Sequence, residues 1–111
     1  MPPTINELMT KTIKKAFLPE KAVGVDTVMQ FNFTCSQASE WYVTIKDQKI
    51  ETMQGTHSSP KMIMTVSSED YVKIATGELD ASMAFMKGKV KVSGDIGIAL
   101  GMGKYFNFGR S

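Results

Sequence analysis

One cysteine, one histidine and one tryptophan stand among 111 residues. The single cysteine, Cys35, excludes an internal disulfide, and a reducing compartment is the expected setting. One histidine and one cysteine offer no ligand spacing for a zinc site. No run approaches the ~20 apolar residues that cross a bilayer, and the opening Met-Pro-Pro-Thr-Ile-Asn-Glu lacks the apolar stretch of a signal peptide. The final Gly-Arg-Ser is neither a peroxisomal nor a retention signal, so the expected location is the cytoplasm. Charge of one sign is scarce as well. Thirteen basic and eleven acidic residues give a net charge of +2, and the excess lies in residues 61–111. Nucleic-acid binders carry a stronger basic face, so nucleic acid is not an expected partner. A mild basic edge does suit transient contact with an anionic membrane surface, at about 1 kcal/mol per well-placed Lys. Repeats, linkers and low-complexity segments are missing.

What is present is an ordinary globular balance, 42% hydrophobic and 22% charged. The length suits one domain, residues 1–111, with one core. Methionine is over-supplied, at nine. Its unbranched, polarizable side chain serves surfaces and cavities that must fit variable apolar partners.

Thr4-Ile-Asn-Glu7 reads as a capping box. Ile5, Leu8, Met9, Thr12, Ile13, Ala16 and Phe17 follow at helical spacing, which predicts a helix over 5–17 that Pro19 stops. Alternation then takes over. Met29, Phe31 and Phe33 share one face, as do Trp41, Val43 and Ile45. Asp47-Gln48 makes a turn into a weaker strand, Lys49–Gln54. After a loop over 55–60, Met62, Met64 and Val66 alternate with Ile63 and Thr65. Four successive strands with short turns are expected to be largely antiparallel. Ser67 or Ser68 caps a helix carrying Tyr71, Ile74 and Ala75, with Gly77 at its end. Asp80 caps a short helix over 81–87. Val90 and Val92 face inward on a fifth strand, expected to pair parallel elsewhere in the sheet because two helices precede it. Asp95 caps a glycine-laden helix over 96–106.

Catalytic patterns are weak. His57 sits in the loop Gly55-Thr-His-Ser-Ser-Pro60, and a solvated loop histidine is the preferred reading over a hydrolase built with Ser58 or Cys35. Ser58-Ser-Pro-Lys61 matches Ser-x-x-Lys, but Pro60 opposes the helix that pattern needs. Gly97 to Lys104 fails the phosphate-loop spacing, and Tyr105 stands where a magnesium-binding hydroxyl belongs. The row Lys87, Lys89, Lys91 reads first as the solvated face of a strand. With no metal cluster, paired carboxylates or activated nucleophile, neither an enzyme nor a cofactor is expected. The apolar surplus fits either an ordinary core or an apolar pocket.

From Trp41 onward the sequence resembles the sterol carrier protein 2 family of lipid-binding domains. The similar stretches are Met64-Thr-Val-Ser-Ser-Glu-Asp-Tyr71, Thr76-Gly-Glu-Leu-Asp80, Phe85-Met-Lys-Gly-Lys-Val-Lys-Val-Ser-Gly-Asp95 and Ile96-Gly-Ile-Ala-Leu100, in that order. The resemblance covers about residues 5–106. It implies an α/β fold of α+β type: a five-stranded mixed, mostly antiparallel sheet covered on one face by helices, with an apolar tunnel between. It also implies a non-catalytic protein that binds or transfers a sterol, fatty acid, acyl-CoA or phospholipid, as monomer or weak dimer. The same fold could alternatively serve as an accessory or dimerisation module. Carried onto this chain, the lipid-binding residues are Trp41, Val43, Met62, Met64, Val66, Tyr71, Ile74, Phe85, Met86, Ile98, Leu100 and Met102. In the family the last helix helps close the tunnel. Here it carries Gly97, Gly101 and Gly103, each costing about 0.8–1.0 kcal/mol of helix propensity against Ala.

Overall fold

Period-two alternation builds the centre of the protein. The computed structural model describes residues 3–98, 105 and 106. Strands β1 (Thr27–Thr34), β2 (Ser39–Lys46), β3 (Lys49–Gln54), β4 (Met62–Ser67) and β5 (Val90–Gly94) form one sheet in the order β3-β2-β1-β4-β5. Three neighbouring pairs are antiparallel and one, β1 with β4, is parallel, so the sheet is mixed and mostly antiparallel. Met29 lies opposite Val43 on one side and Met62 on the other; Phe31 likewise faces Trp41 and Met64. This register brings the apolar positions of three central strands onto one face, where all are buried.

Two pairings differ from the sequence expectation. The fourth strand is not the hairpin partner of the third. The chain crosses from edge strand β3 over β2 and β1, and Met62–Ser67 pairs parallel to β1. The fifth strand does not pair parallel elsewhere. It lies antiparallel to β4, Met64 opposite Val92, because the intervening helices return the chain to the same edge. Sequence distance excludes a tight hairpin but does not forbid an antiparallel partner.

The Asp47-Gln48 turn is present, with both residues at positive φ, 54° and 60°. That is the left-handed geometry a two-residue hairpin requires. The loop over 55–61 is fastened by a buried polar side chain. Gln30, 1% exposed, projects from the face of β1 opposite Phe31. Its Oε1 accepts from the His57 N–H at 2.8 Å, and its Nε2 donates to the Gly55 carbonyl at 3.1 Å.

Helices complete the core. The first runs over 5–16 as α1 (Ile5–Glu7), a π-helical turn (Leu8–Thr12) and α2 (Ile13–Ala16). The predicted capping box is formed: Thr4 Oγ1 accepts from Glu7 N–H at 3.1 Å. In the π turn Ile13 N–H reaches Leu8 O, five residues back, so both apolar side chains stay on the buried stripe with Ile5 and Met9. The helix ends one residue before the expected Phe17, which is extended and bridges Phe106. Helix α3 (Ser68–Ala75) starts from Ser67, whose hydroxyl accepts from Asp70 N–H at 3.1 Å. Helix α4 (Ala81–Met86) starts from Asp80, which accepts from Met83 N–H at 3.0 Å. The chain is helical again at 96–98, after Asp95. The rest of the expected last helix, apart from residues 105 and 106, lies outside the described residues.

Candidate functional site

The apolar sheet face and the helices above it share one core. From β2 come Trp41 and Val43, and from β4 Met62, Met64 and Val66. From α3 comes Tyr71, and all six are buried. Ile74 and Ile98 are half-buried and pack against this cluster. Leu100 and Met102 lie outside the described residues. The first helix adds Leu8, Met9 and Ile13, and β1 adds Met29, Phe31 and Phe33. The register explains the meeting: Trp41, Phe31 and Met64 occupy one row across β2, β1 and β4.

Aromatic contacts fix the middle. The Tyr71 ring lies 6.0 Å from Phe31, edge-on, and 4.9 Å from Phe33. Such tilted contacts suit the ring quadrupoles. Burial raises the Tyr71 phenol well above its ordinary value of 10.0, so it stays neutral. Trp41 keeps its indole in the core while Nε1 donates to Ser39 Oγ at 3.1 Å. Four methionines, Met9, Met29, Met62 and Met64, belong to this core. Thr27 opens the same face of β1, and its buried hydroxyl finds no hydrogen-bond partner among the described residues.

Helix α4 does not join as expected. Its inward residue is Ala84, fully buried, whereas Phe85 is 39% and Met86 80% exposed. The sequence reading took both as inward, but a helix of six residues packs only one narrow stripe, and here the smallest apolar residue fills it.

The hydrolase constellation is not assembled. His57 Nδ1 accepts from the Ser59 N–H at 3.0 Å, and the ring packs edge-on against Tyr42, 5.1 Å away. The ring is therefore half-buried on the outer sheet face rather than free in solvent. Its backbone is tied to Gln30. Thr34 lies four residues further along β1, on the order of 13 Å away, with exposed Cys35 beyond it. Ser58 to Lys61 is not helical, and Lys61 Nζ donates to the Asp26 carbonyl at 3.2 Å. Among the described residues no three His, Cys, Asp or Glu side chains group as metal ligands. No described helix is long and apolar enough to cross a membrane. An open recess of about 330 Å³ lies at the β2–β3 turn, lined by Gly24, Val25, Asp26, Lys46, Asp47 and Gln48. Its charged lining does not suit an acyl chain.

A polar cluster joins two of the site's elements. After β1 the chain makes a 3-10 turn (Cys35–Gln37), whose Ser36 Oγ donates to Glu69 Oε2 at 2.8 Å. Ser68 Oγ donates to Glu69 Oε1 at 2.7 Å and accepts from Gln37 N–H at 3.2 Å. The Ser68 bond, then the Ser36 bond, lower the Glu69 carboxyl below its ordinary value. The cluster sets the start of α3 against the end of β1, which aims Tyr71 at Phe31 and Phe33. Sequence reasoning did not find it, because contacts between residues 31 to 33 positions apart leave no local pattern.

A mixed five-stranded sheet thus buries its apolar, methionine-rich face under helices. The model of the SCP-2 sterol transfer family matches residues 5–107, and the chain belongs to that family. It is 33% identical over 97 residues to hydroxysteroid dehydrogenase-like protein 2 of Danio rerio, covering 86% of this chain and 23% of that protein. It is 38% identical over 91 residues to peroxisomal multifunctional enzyme A of Dictyostelium discoideum, covering 81% of this chain and 20% of that protein. The chain thus spans a quarter or less of these relatives' length. Among solved structures, that of palmitated SCP2L2 from Aedes aegypti superposes with a TM-score of 0.68 at 27% identity, covering 92% of this chain and 93% of that one.

Proposed function

We propose that the protein binds one lipid in an apolar tunnel between the sheet face and the helices, and transfers it, without catalysing a reaction. The carrying observation is the row Trp41, Phe31, Met64 with Met62, Met29 and Met9 around it, all buried on one side of the sheet. Thioether side chains re-pack at little cost, so this face can open for an acyl or sterol body and close again. Trp41, Val43, Met62, Met64, Val66 and Tyr71 line the floor and one wall. Ile74 and Ile98, which pack against the same core, add to the lining, and the family resemblance makes Leu100 and Met102 further candidate lipid contacts. Phe85 and Met86, being exposed, stand outside the tunnel. The palmitated state of the Aedes protein supports an acyl chain as one ligand.

Trp41 is the only tryptophan and supplies the assay. Titration with saturated fatty acids is expected to change its emission saturably. Affinity is expected to rise with chain length, by about 0.8 kcal/mol per buried methylene, until the tunnel is full. A flat response at every length sinks the proposal. The alternative is a non-transfer accessory or dimerisation module with the same fold. A stable dimer with a ligand-free core would favour it.

A further inference from the structure

One polar group on the core side of the sheet is buried without a partner. Thr27 begins β1 on the face that carries Met29, Phe31 and Phe33, and it is 3% exposed. Its Oγ1 has no hydrogen-bond partner among the described residues. Gln30 and Ser68, also buried, are both engaged: Gln30 by the crossing loop, Ser68 by Glu69 and Gln37. Nearly all buried polar groups in native folds are paired in this way. The Thr27 hydroxyl has instead lost its water and gained nothing in exchange.

Thr27 stands where the core meets an opening. Gly24, Val25 and Asp26 precede it, and Lys46, Asp47 and Gln48 follow its cross-strand partner Ile45; these six residues line the open recess at the β2–β3 turn. Val25 also packs against the core. Lys46 and Lys61, whose Nζ donates to the Asp26 carbonyl, balance Asp26 and Asp47. A polar group at this end therefore meets no net charge. The opposite end of the row differs. Phe33 lies six positions along β1, about 20 Å away, and the Tyr71 ring packs on it. At that same end the Glu69 carboxylate accepts from Ser36 and Ser68. Aromatic rings followed by a carboxylate suit the tail of a lipid better than its head.

We infer that the Thr27 hydroxyl is the polar anchor of the proposed tunnel: it hydrogen-bonds the terminal oxygen of a lipid with one polar end, a carboxylate or a hydroxyl. The chain of that lipid runs along the row Met29, Phe31, Phe33 toward Tyr71. The inference rests on the interior-binding reading and adds to it a direction and a ligand chemistry. A threonine hydroxyl donates to a carboxylate, and either donates to or accepts from an alcohol. Thr27 is already dehydrated in the free protein, so the new bond costs no further water on the protein side. A hydrocarbon without oxygen forfeits that bond.

The test compares dodecanoate, dodecanol and dodecane, each supplied from cyclodextrin and followed by Trp41 emission. Thr27→Val keeps the shape of the side chain. It is expected to weaken dodecanoate and dodecanol by about tenfold and to leave dodecane within about twofold of wild type. Thr27→Ala, smaller but equally without the hydroxyl, is expected to show the same selective loss should the valine variant fail to fold. Thr27→Ser keeps the hydroxyl and is expected to bind the two oxygen-bearing probes more tightly than Thr27→Val does. The free Thr27→Val chain is also expected to melt higher than wild type yet to gain less from dodecanol, opposite signs that a loosened fold does not produce. Equal weakening of all three probes would overturn the inference, leaving Thr27 with a packing role alone. So would dodecanoate and dodecanol that bind Thr27→Val as they bind wild type, which would put the head elsewhere. In both of those outcomes wild type still binds, and the interior-binding reading stands. A wild-type chain that binds none of the three would overturn both.

Discussion

Tyr71 and Thr27 hold two buried hydroxyls on the core side, and each leads to a measurement. The Tyr71 phenol ionises at its ordinary value in the unfolded chain but only at higher pH when folded. Its contribution is therefore fully present below about pH 10 and is lost as pH rises beyond it, by up to 1.4 kcal/mol per pH unit. Urea unfolding between pH 9 and about 11 is expected to show this fall in wild type and a shallower one in Tyr71→Phe; identical slopes would place the phenol in water. Thr27 has no hydrogen-bond partner among the described residues, so its hydroxyl carries a desolvation cost. Thr27→Val keeps the shape and removes that cost. It is expected to raise stability by about 1 kcal/mol, read as a higher urea midpoint at unchanged slope. A lower midpoint would mean that the hydroxyl is bonded after all.

Glycines and one glutamine decide how elements meet. At Gly94, on the last residue of β5, φ is +86° and an added Cβ would sit 2.6 Å from the Lys61 carbonyl oxygen. At Gly88, φ is +78° but nothing lies within 4 Å. Gly88→Ala is thus expected to cost only the left-handed backbone, about 1–2 kcal/mol, and Gly94→Ala clearly more, as paired thermal melts will read. Gln30→Ala leaves the His57 N–H and the Gly55 carbonyl without their partner, at about 1–3 kcal/mol. Hydrogen exchange at the His57 amide is expected to accelerate, and unchanged protection would mean that the crossing loop holds itself. Elements of this kind were legible in the sequence to different degrees. Caps at Thr4, Ser67 and Asp80 and the alternation of Met29, Trp41 and Met62 are local patterns, and the structure has them where expected. The partners of β4 and β5 were not legible. Which edge the chain returns to depends on a crossing loop held by Gln30 and on two helices, and neither leaves a period in the sequence. The outward turn of Met86 was missed for a related reason: apolarity marks a residue as inward only when its helix has room to bury it.

The whole molecule has a Cα radius of gyration of 12.7 Å, close to the ~13 Å of a well-filled domain of this length. In the proposed function a lipid enters with re-packing of this core, and the buried methionines are the side chains suited to that. Six of the nine methionines divide accordingly. Met9, Met29, Met62 and Met64 are in the core, while Met83 and Met86 stand on the outer helix. Lipid bound to the folded state alone adds stability by mass action, about 2.7 kcal/mol at a hundredfold excess over Kd.

Native mass spectrometry of the purified chain, before and after solvent extraction and after adding back palmitate, tests interior lipid binding most directly. The predicted result is one added lipid mass per chain, lost on extraction with a fall in Tm, and both restored by palmitate. A bare chain mass throughout, with a Tm that neither extraction nor palmitate moves, would contradict it.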